Sequence, residues 1–208
     1  MRIIAGSARG QRIAVPPGVK TRPTTERVRE ALFSTLTSAL GRTQGSGSQT
    51  WSGIRVLDVF AGSGALGLEA LSRGARSAVF IESDRKVAAV LRRNIDQLGF
   101  PEAHVVIGDA WQTMDRPERM AQDLLPVDVI FVDAPYEVAT ANIRRLLTQI
   151  LARGWCREEG LVVIERSARE ESSPWPRHRP DEGWQWEEGD ERRYGETALW
   201  YGRCVRKH

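Results

Sequence analysis

Between residues 54 and 166 the chain alternates short apolar runs with longer segments of helical periodicity, and few folds accept that pattern. The runs are IRVLDVF (54–60), SAVFIES (77–83), HVVIGD (104–109), DVIFVDA (128–134) and GLVVIER (160–166), each rich in Val, Ile or Phe. Strands this continuously apolar are buried on both faces of a sheet. The segments between them, near 65–73, 84–98, 111–123 and 138–153, read as amphipathic helices. Strand and helix in turn predict an α/β fold with a doubly wound, mostly parallel sheet. Right-handed crossovers gather the strand C-termini along one edge, where ligands of open α/β sheets bind.

The two ends of the chain depart from the pattern. GWQWEEGDERRYGETALWYGRCV (183–205) reads as two strands around a turn at Tyr194–Thr197 with no helix between them, an antiparallel pair closing the sheet. At the other end, RIIAG and QRIAV flank Ser-Ala-Arg-Gly and predict a β-hairpin with Gly10 near its turn. Residues 1–20 are therefore read as a small basic hairpin extension and 21–208 as the main domain. A helix is expected over 22–40, after Pro23, with Thr24 or Thr25 as its N-cap. Its apolar face is Val28, Leu32, Leu36 and Leu40, and the Gly/Ser-rich stretch 41–53 reads as a loop.

Charge separates these parts further. Residues 1–30 hold Arg2, Arg9, Arg12, Lys20, Arg22, Arg27 and Arg29 against Glu26 and Glu30, a balance of +5, while the remaining chain carries −2. A basic arm on a mildly acidic body suggests contact with a polyanion. Hydrophobic residues make up 41% and charged ones 27%, which fits a globular chain. No apolar run approaches the roughly 20 residues that span a bilayer, and MRIIAGSARG lacks the apolar core of a secretory signal, so a cytoplasmic location is expected. Cys156 and Cys204 have no metal-type spacing and read as reduced thiols, with no metal site.

The first strand runs into DVFAGSGALGLEALSRGA (58–75), where Gly62, Gly64 and Gly67 match G-x-G-x-x-G at the opening of a helix. Alone this fits an NAD enzyme, another adenosine cofactor or a tight turn. The acids at successive strand ends discriminate. Glu82 can accept both hydroxyls of a ribose, Asp58 can face a cationic amino-acid end, and Asp109 can reach an adenine amino group. S-adenosylmethionine (SAM) carries a sulfonium and an ammonium and no pyrophosphate, so an acidic pocket favours it over NAD. The cofactor candidates are Asp58, Phe60, Ala61, Gly62, Ser63, Gly64, Gly67, Glu82, Ser83, Asp109 and Ala110.

The fourth strand ends in Asp133, Ala134, Pro135 and Tyr136. A nucleobase amine is a poor nucleophile because its lone pair is delocalised into the ring. Asp133 can hold the amine hydrogens through a carboxylate oxygen, and Ala134 through its backbone carbonyl. Pro135 biases Ala134 toward extended backbone, and Tyr136 offers a face for an extruded base. Positioning and stabilisation of positive charge on nitrogen would supply the rate gain. A strand-ending turn with a packed tyrosine is the plainer alternative.

RIIAGSARGQRI, RPTTERVREALFSTL, DVFAGSGALGLEALSRGA, FIESD, GDA, FVDAPY and YGETALWYGR together resemble the bacterial 16S rRNA guanine-N2 methyltransferase family of class I SAM-dependent enzymes, over nearly the full length. The resemblance implies a seven-stranded sheet, SAM as methyl donor, and a guanine of 16S rRNA in the small ribosomal subunit as target, with a monomeric enzyme. It puts Asp58, Gly62, Gly64, Glu82 and Asp109 on cofactor positions, Asp133 to Tyr136 on the amine-binding motif, and Arg22 to Arg29 over the cofactor facing RNA. The family usually has Pro-Pro after the Asp; here Ala134 replaces the first proline and has a freer φ. Beside such a pocket Arg2, Arg9, Arg12, Lys20, Arg22, Arg27 and Arg29 are the expected phosphate contacts, on an arm separable from cofactor binding. DNA adenine or protein glutamine methyltransferases, an NAD-dependent oxidoreductase and a non-catalytic RNA-binding protein are the alternative readings.

Overall fold

In the computed structural model, which describes residues 1–16, 25–44, 50–176 and 183–207, seven strands form one sheet in the order β3-β2-β1-β4-β5-β7-β6. The strands are β1 (Arg55–Asp58), β2 (Ser77–Glu82), β3 (Ala103–Ile107), β4 (Val127–Val132), β5 (Cys156–Ser167), β6 (Trp184–Tyr194) and β7 (Thr197–Arg206). The first five run parallel, and β7 pairs antiparallel with both β5 and β6. The doubly wound, mostly parallel sheet expected from the sequence is thus present, closed by the expected C-terminal hairpin.

Helices α1 (Glu26–Gln44), α2 (Ala65–Ser72) and α3 (Arg85–Leu98) cover one face; α4 (Ala110–Met114) and α5 (Thr140–Ala152) cover the other. Alternation along β4 serves both cores: Val129 and Phe131 join the first and Ile130 and Val132 the second, while Val127, across the register shift between Val127 and Val129, also joins the second. The helix expected over 111–123 stops at Met114, and two 3-10 turns, Pro117–Arg119 and Gln122–Leu124, replace its remainder. Pro117 has no N–H for the i→i−4 ladder, which accounts for the break. Residues 41–44 of the expected loop are helical, because α1 continues to Gln44, and residues 45–49 lie outside the described residues.

The expected N-terminal hairpin is present in short form, with an antiparallel bridge between Arg2 and Arg12 and Gly10 at φ +82 near its turn. Its two arms also exchange backbone bonds, from the Ile3 amide to the Gln11 carbonyl and the Gly10 amide to the Ile3 carbonyl at 2.9 Å and from the Ile13 amide to the Met1 carbonyl at 3.0 Å, while other amides reach the main domain. The amides of Ile4 and Ala5 donate to Glu69 at 2.7 and 3.0 Å, and the amides of Ser7 and Ala8 donate to the carbonyl and hydroxyl of Ser72. Asn94 on α3 both accepts from the Ala14 amide and donates to its carbonyl. Ile3, Ala8 and Ile13 are buried in the first core, so residues 1–16 share it with the sheet. The boundary expected near residue 20 lies outside the described residues.

Glu69 holds this arrangement together. It is fully buried, accepts two arm amides and pairs with Arg73 at 2.8 Å. Removing it orphans both amides and one guanidinium. Glu69→Ala is expected to destabilise the fold by about 3 kcal/mol or more, measured as a lower midpoint in urea unfolding. A midpoint within error of wild type would detach the arm from the core.

Candidate active site

Strand register sets the heights of the acidic groups. Asp58 lies opposite Phe131 of β4 and Phe80 of β2, so Asp133 and Glu82 each stand two residues further along, roughly 7 Å higher. Glu82 is opposite Ile107, which puts Asp109 another two residues beyond. The order of strands reverses across the sheet at β1, where β2 lies on one side and β4 on the other. That is the switch point at which open α/β sheets bind ligands, and Asp58 and Asp133 flank it.

Three acids of the row are held by backbone amides at a helix start. Asp58 accepts from the Gly67 amide at 3.1 Å. Glu82 accepts from Gly62 at 2.9 Å and from Asp84 at 2.8 Å, and Asp109 accepts from Gln112 at 3.0 Å. Asp58 is almost fully buried, and its carboxyl is pushed up to about 7 by that burial; the Gly67 amide opposes the rise, and the charges of Asp133 and Glu82 add to it. An incoming cation would relieve this and draw Asp58 into its ionised form.

The three glycines do different work. Gly62 has φ +54 and a Cβ there would meet nothing within 4 Å, which leaves its open side to a ligand. At Gly64, with φ +84, a Cβ would lie 2.4 Å from Leu91 Cδ1; at Gly67 it would lie 2.3 Å from the Phe80 ring. Gly67 therefore lets α2 approach β2, as the third glycine of such loops does. Ala61 donates its amide to Ile81, and the Ser63 carbonyl accepts from Asn94 Nδ2 at 2.9 Å, so the loop is tied to both β2 and α3. Phe60 is half-buried edge-on against Trp111, Ser83 is exposed, and Ala110 is buried at the start of α4. The open cradle and the cluster of carboxylates suit a ligand that is cationic and carries no phosphate.

Asp133 is half-buried, Ala134 is packed into the second core and the Tyr136 ring is exposed. Burial pushes the Tyr136 phenol above its ordinary value, with the Thr197 hydroxyl bonded to it as the opposing influence. The Pro135 carbonyl accepts from Val138 at 2.9 Å and from Arg166 at 3.4 Å. Of the two consecutive carbonyls, Pro135's is thus turned into the protein.

Arg166 is a site residue that sequence reasoning missed. Its buried guanidinium leaves the end of β5, bonds the Val138 carbonyl at 2.6 Å and pairs with Glu170 at 2.8 Å. It clamps residues 135–138 immediately after Asp133. Asn94 was also missed, although a polar residue within the apolar spacing Leu91, Ile95, Leu98 is a legible signal.

The basic residues divide. Arg2, Arg9, Arg12 and Arg27 are exposed, and Arg2 pairs with Glu26 at 3.3 Å. Arg29 corrects the expectation made for it: its guanidinium is fully buried, bonded to Met1 Sδ and the Arg2 carbonyl, and burial lowers its pKa against the opposing charges of Glu69 and Glu26. It cannot reach a phosphate. Lys20 and Arg22 lie outside the described residues. The aromatics Trp175, Trp184, Trp186 and Trp200 pack in or against the second core. No described helix is long and apolar enough to cross a membrane, and no three His, Cys, Asp or Glu among the described residues group to hold a metal ion.

A family model described as Conserved hypothetical protein 95 matches residues 1–203. The chain belongs to that family. Ribosomal RNA small subunit methyltransferase D of Escherichia coli strain K12 is 38% identical over 165 residues, which cover 79% of this chain and 74% of that relative. The solved structure of Escherichia coli yhhF superposes with a TM-score of 0.77 at 33% identity, covering 100% and 99% of the two chains. A hypothetical protein of Thermus thermophilus gives 0.72 at 32% identity, again covering 100% and 99%.

Two outcomes follow from this family member's geometry. Asp58 binds its proton more tightly folded than unfolded, so stability falls as pH rises from about 4 to about 7, by up to roughly 4 kcal/mol. Asp58→Asn, which still accepts from Gly67, is expected to flatten that part of the profile; an unchanged slope in urea titrations would refute the raised value. Arg166→Met is expected to speed amide exchange at Val138 by about tenfold, with Arg166→Lys intermediate; unchanged protection would remove the clamp.

Proposed function

We propose that this protein transfers a methyl group from SAM to the exocyclic N2 amine of a guanine in 16S rRNA, acting as a cytoplasmic monomer on the small ribosomal subunit. The juxtaposition of Asp58 and Asp133 across the β1/β4 switch point carries the reading, because it sets a cation-binding carboxylate beside an amine-binding one. The Escherichia coli relative, named as a small-subunit rRNA methyltransferase, supports rRNA as the substrate class.

When bound, SAM supplies an electrophilic methyl on a sulfonium. The chain's own groups do the rest. Glu82 and Asp109 provide acceptors along one side of the crevice, and Asp58 offers a charge whose ionisation a cation favours. Asp133 accepts hydrogens of the target amine and keeps its lone pair directed out of the base plane. The Ala134 carbonyl is the second acceptor. Positive charge that develops on nitrogen falls beside the Asp133 carboxylate, which stabilises it without acting as a strong base. Tyr136, exposed beyond the loop, provides the surface on which an extruded guanine stacks.

The test offers methyl-labelled SAM with small subunits lacking the modification, with naked rRNA and with duplex DNA, followed by identification of the labelled nucleoside. N2-methylguanosine from subunits is expected. Labelled adenine from DNA would discard the substrate while keeping the donor, and label in naked rRNA alone would discard the assembled subunit. Asp133→Ala is expected to lower kcat by about 10²-fold or more; unchanged turnover would take Asp133 out of the mechanism.

A further inference from the structure

We propose that the solvent face of α3 is a docking strip for the phosphate backbone of the substrate rRNA, continuous with the N-terminal arm. This rests on the reading of the substrate given above and names a surface for it that no part of the active-site argument requires.

Helix α3 buries Ala88, Leu91, Asn94, Ile95 and Leu98. At 100° per residue the opposite side presents Arg85, Lys86, Arg92 and Arg93, all exposed, with Asp96 as the acidic exception. None of the four bases forms an ion pair with a described residue. Arg85 and Lys86 occupy the first turn, where the helix dipole disfavours cations, and no acidic residue stands in that turn. Fold stability therefore gives no reason for their charge. A polyanion does.

Position supplies the second argument. The first turn of α3 follows Glu82 and Asp84 directly, so the strip begins at the rim of the active site. Arg92 follows Arg85, and Arg93 follows Lys86, by seven residues, about 10 Å along the axis. The Arg93 column continues one turn to Gln97, whose side chain donates to the Arg12 carbonyl at 2.9 Å. Arg12 thus extends the same column, and Asn94 fixes the arm beside it through both bonds to Ala14. The result is a basic track of roughly 20 Å from the rim to the arm. By contrast, the far edge strand β6 exposes Glu187, Glu188, Asp190 and Glu191 against Arg192 and Arg193, which pair with Asp190 and Glu191, so that strand carries a net negative charge. The bases of α3, unpaired among the described residues, thus favour a polyanion there over the β6 edge.

The strip is tested with Arg92→Glu/Arg93→Glu, whose side chains face solvent and touch no part of the catalytic loop. Methyl transfer to small subunits is measured across a series of KCl concentrations, with SAM affinity measured separately by calorimetry. The expected result is a KM for subunits raised about tenfold or more, with SAM affinity and kcat retained. The slope of log KM against log salt should become shallower by about 1.5, as two phosphate contacts are lost. A matched reversal on the other face, Arg116→Glu/Arg119→Glu, should leave KM and slope near wild type. Wild-type KM and slope in the α3 variant would overturn the proposal, as would equal effects from both variants, which would assign them to net charge alone. Failure of wild-type enzyme to label rRNA would instead refute the functional reading, a separate outcome.

Discussion

Crowding carboxylates at neighbouring strand ends is unfavourable, and the site exists because three of them are seated on backbone N–H groups at the beginning of a helix or turn. Asp58 takes the amide of Gly67 in the first turn of α2; Glu82 takes those of Gly62 and Asp84; Asp109 caps α4 through Gln112. Amides at helix starts would otherwise be orphaned, and the positive end of the helix favours an anion there. A βα repeat thus produces strand-end acids and helix-start amides together. The same bonds that stabilise the turns hold a negative surface at the switch point, and Asp58, the most deeply buried, carries the cost as a raised pKa.

The sheet was legible because its signal is local. Each buried strand is a short run of β-branched and aromatic residues, and each glycine of the loop sits where φ or packing requires one. The N-terminal hairpin was legible as a pair of arms, but what it packs on was not, for the opposite reason. RIIAG and QRIAV do carry strand periodicity, but the amides of Ile4 and Ala5 are taken by a carboxylate 65 and 64 residues away. Nothing local announces that Glu69, within an apolar helix, will be buried with them. Arg29 is the same lesson in charge: its neighbours in sequence suggested a polyanion contact, yet α1 turns it inward against the arm and the field of Glu69. The candidate site was legible in its acids and glycines, and illegible in Arg166 and the α3 face, whose roles depend on what packs beside them.

Charge has therefore to be read from the fold and not from the chain order. The segment with the highest linear positive density loses one of its arginines to the core and another to a surface pair with Glu26. Helix α3, whose bases are spaced among apolar residues, presents them on one side because its buried stripe forces them there. Net charge of +3 conceals a molecule with a basic flank and an acidic edge strand. The acidic residues on β6 also protect that edge from pairing with another strand.

Ala134 shows how a departure from a family pattern can be absorbed by its surroundings. Proline would fix its own φ at this position and so stiffen the loop after β4. Alanine lacks that restraint, but the residue is 1% exposed within the second core, so the backbone that bears its methyl group has little room to turn. The next proline, Pro135, is retained and biases Ala134 toward extended backbone. Beyond it, Val138 closes the loop by donating to the Pro135 carbonyl, and Arg166, itself anchored to Glu170, grips both ends of that turn. Rigidity that a pyrrolidine ring would provide covalently is supplied here by burial on one side of Ala134 and by a guanidinium on the other. The aim of the Ala134 carbonyl thus depends on β5 as well as on β4.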